Sequence, residues 1–299
     1  MIEFILWTAQ NIALAPYHLV MALANPADWL AWGDREALVR FIYYGGSVEL
    51  FFVIFTTFMA ITVVGIVWKR QLLWNCVRVL EAFANAIGRT AAWAGLLMVL
   101  QQIMIVFLQR IFRVSEISLG PLGTSFTQEL SWWGEELKLY NAMVVCLCVS
   151  YTFVQGGHVR VDLVYSAVKH RTKRAIDMFG SLFFMMPVIV LTYLYAWFFM
   201  WRHLVVPNPS ASTDLDRMLA QARIMRWNVE TIGFSPNGFN AYFLFKVLLV
   251  MFCGLVFLQA IAFFWRSYLE FVEGEESIGK YFDKDVLGDE DAELASAIH

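Results

Sequence analysis

Glu135 and Glu136 stand side by side in the stretch W-G-E-E-L-K-L-Y. A carboxylate pair can act as general acid and base, or can ligate a cation, when both groups converge on one point. Neighbouring positions on a helix are about 100° apart, so these two diverge. The plainer readings are an acidic helix start favoured by the helix dipole, or a salt bridge to another subunit. Ser131 is the expected N-cap, with Glu135 just past the capping-box position. A second polar group, His158, Arg160 and Asp162, follows Gly156-Gly157. The glycines can end a helix in a left-handed turn, after which the trio can fold onto free carbonyls or meet lipid headgroups. A haem role for His158 needs a second ligand, and His18, His170, His203 and His299 place none inside an apolar run. No catalytic, cofactor-binding or metal site is expected.

The elements that must hold these residues are apolar. The chain has 299 residues, of which 60% are hydrophobic and 16% charged. Soluble domains are about 45–50% apolar and about 25% charged. Crossing the hydrocarbon layer takes about 20 mostly apolar residues in a helix. Clear runs fall at 48–68, 87–107, 137–154, 176–201 (with Pro187 inside) and 242–265. Residues 4–24 are apolar but interrupted by Gln10, Asn11, Pro16 and His18. An interfacial helix is expected there, with a sixth span as the alternative. That segment lacks a basic n-region and a small-residue cleavage site, so it is expected to be retained. Cys76, Cys146, Cys148 and Cys253 are read as small buried residues. The net charge of −3, without a large basic patch, argues against nucleic acid.

Between the spans, residues 71–86 read as a short amphipathic stretch, and 114–131 as a loop broken by Gly120, Pro121 and Gly123. Residues 202–240 contain a helix capped by Ser212, Thr213 or Asp214, with Leu215, Met218, Leu219, Ala222 and Met225 at helical spacing. The acidic segment after Phe271 reads as a solvated extension. Trp201 and Trp265 are expected at membrane interfaces. Glu49, Lys138, Asp177 and Lys246 are expected to snorkel. Gln102, Asn141, Ser150, Thr152, Thr192 and Gln259 are expected to make interhelical hydrogen bonds. Lys69, Arg70, Arg78 and Arg89, then Arg160, Lys169, Arg171, Lys173 and Arg174, alternate correctly for one cytoplasmic side, which puts the C-terminus inside. No span carries an ionisable residue near its middle and no internal repeat stands out, which argues against a pump, channel or complete transporter.

In order and spacing these residues resemble the small membrane subunit of TRAP transporters, the DctQ-like family of the tripartite ATP-independent periplasmic uptake systems. The family pattern Q-x-x-x-R, W-x-E-E-L and G-x-H-x-x-V-D looks like Gln109 and Arg113, then Trp133, Glu135, Glu136 and Leu137, then Gly156, His158, Val161 and Asp162. The resemblance implies an all-α integral membrane protein with a four-helix DctQ-like core plus at least one extra N-terminal transmembrane helix. Its parts would be an N-terminal extension at 1–70, core spans at 71–201, a periplasmic loop at 202–240, a last core span at 241–270 and an acidic cytoplasmic tail at 271–299. It implies a non-enzymatic, multi-pass subunit of the bacterial inner membrane. Its partners would be a large DctM-like permease subunit, a periplasmic solute-binding protein and membrane lipid, in sodium-coupled import of a small organic acid. Gln109, Arg113, Trp133, Glu135, Glu136, Gly156, His158 and Asp162 are the family-motif and subunit-interface candidates. A membrane anchor or a redox-complex subunit is the alternative.

Overall fold

The computed structural model describes residues 2–119, 126–156, 168–205, 214–222, 238–239 and 241–283. In chain order these form α1 (Ile2–Ala24), α2 (Ala27–Leu30), α3 (Arg35–Gly45), α4 (Val48–Val67) and α5 (Arg70–Arg110). The strands β1 (Glu116–Leu119) and β2 (Phe126–Glu129) follow. Then come α6 (Leu130–Leu147), α7 (Val149–Gln155), α8 (His170–Gly180), α9 (Met186–Leu204), α10 (Leu215–Gln221) and α11 (Phe243–Glu273). Four stretches are long and apolar enough to cross a membrane: α4, α5, α8 continued through α9, and α11. The α6–α7 pair, bent by 43°, makes a fifth if it is counted as one span. The chain is therefore a mainly α-helical, multi-pass type of membrane protein. α1 falls outside that set; it packs on α4 through Ile12 and Ala15 against Phe52 and Val53.

Local sequence explains the boundaries. Ser47 caps α4, its hydroxyl accepting from the Leu50 N–H at 3.2 Å. Gly156 ends α7 with φ 78°, in the left-handed turn expected of it. Pro187 does not break its span. A π turn at Ser181–Met185, closed by the Met186 N–H on the Ser181 carbonyl, directly precedes it. That turn shifts the ladder by one residue where the proline offers no donor.

The amphipathic stretch 71–86 and the span expected at 87–107 are continuous, in the 41-residue helix α5, and two other expectations are corrected here. At 1.5 Å per residue α5 is about 60 Å long, twice the hydrocarbon thickness. The loop at 114–131 contains an antiparallel hairpin pairing Glu116 with Glu129 and Leu119 with Phe126. Its Ser118 and Thr127 hydroxyls lie 2.8 Å apart across the strands. Because β2 runs straight into α6, the N-cap is Glu129 and not Ser131, whose hydroxyl instead reaches Glu129 at 3.2 Å.

α5 runs antiparallel to α6–α7 and to α11. Its inner face passes from large apolar residues, Leu73, Trp74 and Val77, to small ones, Ala84, Gly88, Ala91 and Ala94. Small residues let backbones approach closely in a membrane bundle. At Gly88 a Cβ would lie 2.1 Å from the Tyr151 Cβ, so only glycine fits where α5 crosses α7. One core joins Phe58, Trp74, Trp265 and Leu269 at the end where α5 begins. Another joins Leu38, Ile42, Trp197, Trp201 and Met218 at the hairpin end, where α3 and α10 cover the end of α9. Trp201 and Trp265 are thus core residues, each 4% exposed. The Trp265 indole N–H donates to Thr62 Oγ1 at 2.9 Å, and α11 continues two turns past it. The predicted outer helix is present as α10, shorter than its pattern, with Met218 and Ala222 buried and Met225 outside the described residues. Its N-cap is Asp214.

Candidate functional site

The motif residues occupy the two ends of the α6–α7 segment. At the hairpin end, Gln101 of α5 donates through Nε2 to the Trp133 carbonyl and to Glu136 Oε2, both at 3.1 Å. Glu135 points elsewhere: its Oε2 accepts the Phe239 N–H at 2.8 Å, just ahead of α11. The Phe239 ring stands edge-on to Trp132 at 5.2 Å, and Trp132 edge-on to Trp133 at 5.2 Å. The two acids therefore diverge as the helical geometry demands, one tying α6 to α5 and the other to the entry of α11. Neither is in the first turn of α6, so the acidic-helix-start reading is corrected. Gln109 is exposed on the last turn of α5. Arg113 is exposed just beyond it, at φ 53°. At the opposite end of α7 only Gly156 of the second motif is described. Gly157, His158, Arg160, Val161 and Asp162 lie outside the described residues.

The densest polar constellation was not among the sequence candidates. It sits where α5 begins and α11 ends. Arg266 of α11 grips Glu81 of α5 with both prongs, Nε donating to Oε1 at 2.6 Å and Nη2 to Oε2. Both side chains are at most 5% exposed. Nη1 donates to the Lys280 carbonyl at 3.1 Å, so the guanidinium is bonded along each edge. Its faces lie 3.9 Å from the Phe282 centroid and 5.4 Å from that of Trp74. One turn on, Glu270 is 1% exposed and sits 2.5 Å from Arg174 Nη2 of α8, with Arg266 Nη1 at 3.6 Å. Arg174 also pairs with Asp177 at 3.1 Å, and a His170 ring nitrogen is 3.3 Å from the Glu270 carbonyl. Each buried charge faces an opposite one, the condition under which a low-dielectric interior tolerates it.

The sequence did hold a signal for this network. Arg266 and Glu270 are spaced i, i+4 at the end of an apolar run, and Glu81 recurs on the Leu73–Val77–Ala84 face of α5. Reading 71–86 only as a short amphipathic stretch between spans leaves the match unseen. The snorkelling expectation fails for Lys246. It is 3% exposed, with its ammonium 4.3 Å from the Phe199 ring centroid. Asp177 turns inward to Arg174 instead of outward. Among the expected interhelical donors, Thr152 and Thr192 bond to their own helices, on the Val149 and Val188 carbonyls, each at 2.8 Å. Gln101 makes an interhelical bridge of the kind expected of its neighbour Gln102, which is exposed.

The segment after α11 is not wholly a solvated extension. Residues 274–283 turn back over the bundle. Trp74 Nε1 donates to Glu273 at 2.8 Å, and Asn85 Nδ2 donates to the Asp283 carbonyl at 2.8 Å. The rest of the acidic stretch lies outside the described residues. Two shallow clefts flank the helices. One, of about 370 Å³, is lined by Val64, Trp68, Lys69, Gln71, Leu72 and Asn75. The other, of about 280 Å³, lies between α1 and α3 beside Trp29 and Arg40. Neither contains the motif acids. Among the described residues, no three His, Cys, Asp or Glu side chains gather as metal ligands would. What this polar chemistry does is fix helices to one another.

Comparison with known proteins finds no matching family model, no similar curated protein and no similar solved structure. Fold and site thus define a class, a helical membrane protein with four or five candidate spans.

Proposed function

We propose that this chain is the small membrane subunit of a TRAP-type uptake system. In this reading it braces a large permease subunit during secondary active, sodium-coupled import of a small organic acid. The observation that carries it is the use of the motif acids. Glu135 and Glu136 lie at the end of a candidate span and bind α5 and the entry to α11, which suits a scaffold and not a transport path. The exposed apolar side of α5, with Trp93, Leu97, Leu100 and Met104, is available to lipid or to a larger subunit. The basic connections before α5 and before α8 then face the cytoplasm of a bacterial inner membrane, with the C-terminus on the same side. α3, α10 and the hairpin then face the periplasm, where the solute-binding protein docks.

The test is a mild-detergent pull-down of the tagged full chain followed by mass spectrometry. A co-purifying polytopic permease is the expected result. Recovery of this chain alone, stable and monodisperse, would overturn the reading. Docking on α10 is tested separately with Asp216→Arg and Arg217→Glu. Both residues are exposed, whereas deleting the helix would remove the buried Met218 from the core. Uptake should fall with the membrane complex intact; normal uptake would rule out α10 as the contact.

A further inference from the structure

We propose that Asn85, Arg89 and Gln155 form a carboxylate latch, closed within the chain by Asp283, and that residues 274–283 are a releasable strap over the buried Glu81–Arg266 pair. Arg89 donates through Nη2 to Asp283 Oδ1 at 3.1 Å and through Nη1 to Oδ2 at 3.2 Å, a two-pronged grip that matches a carboxylate. Asn85, fully buried, reaches Asp283 Oδ2 at 3.2 Å and its carbonyl at 2.8 Å. Gln155, at the end of α7, donates to the same carbonyl at 3.0 Å and to Asn85 Oδ1 at 3.2 Å. Three side chains from two helices thus converge on one residue that lies 198 positions from Asn85.

The strap is built to open from its Asp283 end. Arg89 and Asp283 are 42% and 54% exposed, whereas Arg266 and Glu81 beneath are 5% and 4%. Salt and competing anions therefore reach the outer pair and not the inner one. Gly274 at φ 87° and Gly279 at φ 75° adopt backbone angles that side-chain-bearing residues resist, and both can act as hinges. Lifting the strap removes the Lys280 carbonyl and the Phe282 ring from Arg266, and so uncovers the joint between α5, α8 and α11. The strap ends at Asp283, beside the end of α7.

The experiment is hydrogen exchange of the 274–283 amides in the full chain, held in lipid nanodiscs, which needs no partner protein and so stands or falls apart from the transporter reading. Asp283→Arg and Arg89→Asp should each speed exchange about tenfold, and the double swap should restore it. Raising salt from about 0.05 to about 0.5 M should speed exchange in the wild-type strap and in the double swap, and much less in either single variant. Exchange unchanged in both single variants, or a double swap as fast as the singles, would overturn the latch. Asp283→Asn, which keeps size and carbonyl, should give a smaller rise; no rise there together with none in Asp283→Arg would equally sink it.

Discussion

Arg266 shows how much a single side chain can organise in this fold. Its guanidinium is bonded by Glu81 and the Lys280 carbonyl and lies against Phe282, at a depth where water cannot compensate a missing partner. Arg266→Met should cost about 3–5 kcal/mol, because Glu81 is left buried with its main counter-charge gone. Adding Glu81→Leu should recover much of that loss, since an apolar pair of similar volume often replaces a buried ion pair at little cost. Reversible unfolding in mixed micelles, run as a double-mutant cycle, checks both, and strictly additive losses would contradict the pairing. Sequence reasoning found Glu135 and Glu136 and anticipated that they diverge, because that follows from helical geometry alone. It missed Glu81 with Arg266, since 185 positions separate the partners and nothing local joins them.

At the scale of elements, the apolar runs were legible: α4, the α8–α9 span and α11 all lie where hydropathy places them. Less legible was where helices stop, because polar residues at 71–86 look like surface until Trp74 and Glu81 are seen to face α11. The hairpin was hidden behind its glycines and proline, although E-I-S-L carries an alternating pattern. The α5–α7 crossing yields a sharp expectation. Gly88→Ala puts a methyl group into Tyr151 and should cost about 1–3 kcal/mol, as overpacking does, even though alanine is the better helix former. Gly134→Ala, with open space around its Cβ position, should be neutral or mildly stabilising under the same melt. Equal melting of the two variants would mean that the helices do not approach so closely.

Over the whole molecule, polar fastenings sit at both ends of an apolar bundle. The hairpin end is joined through Gln101, Glu135 and Glu136, and the other end through Glu81, Arg266 and the strap. Truncation tells these apart. A chain ending after Asp283 should melt like the full one, while a chain ending after Glu273 should lose about 2–4 kcal/mol, having given up Phe282, the Lys280 carbonyl and the Asp283 contacts together. Equal stability of the two truncations would show the strap to be dispensable. The strap has a consequence for biosynthesis. Trp74 leaves the ribosome early and its partner Glu273 comes 199 positions later. The earlier spans must therefore enter the bilayer with Glu81 still uncompensated. The bundle can be sealed only when Arg266 and the residues after it emerge, so a nascent chain halted short of that point should be the form that membrane quality-control proteases recognise.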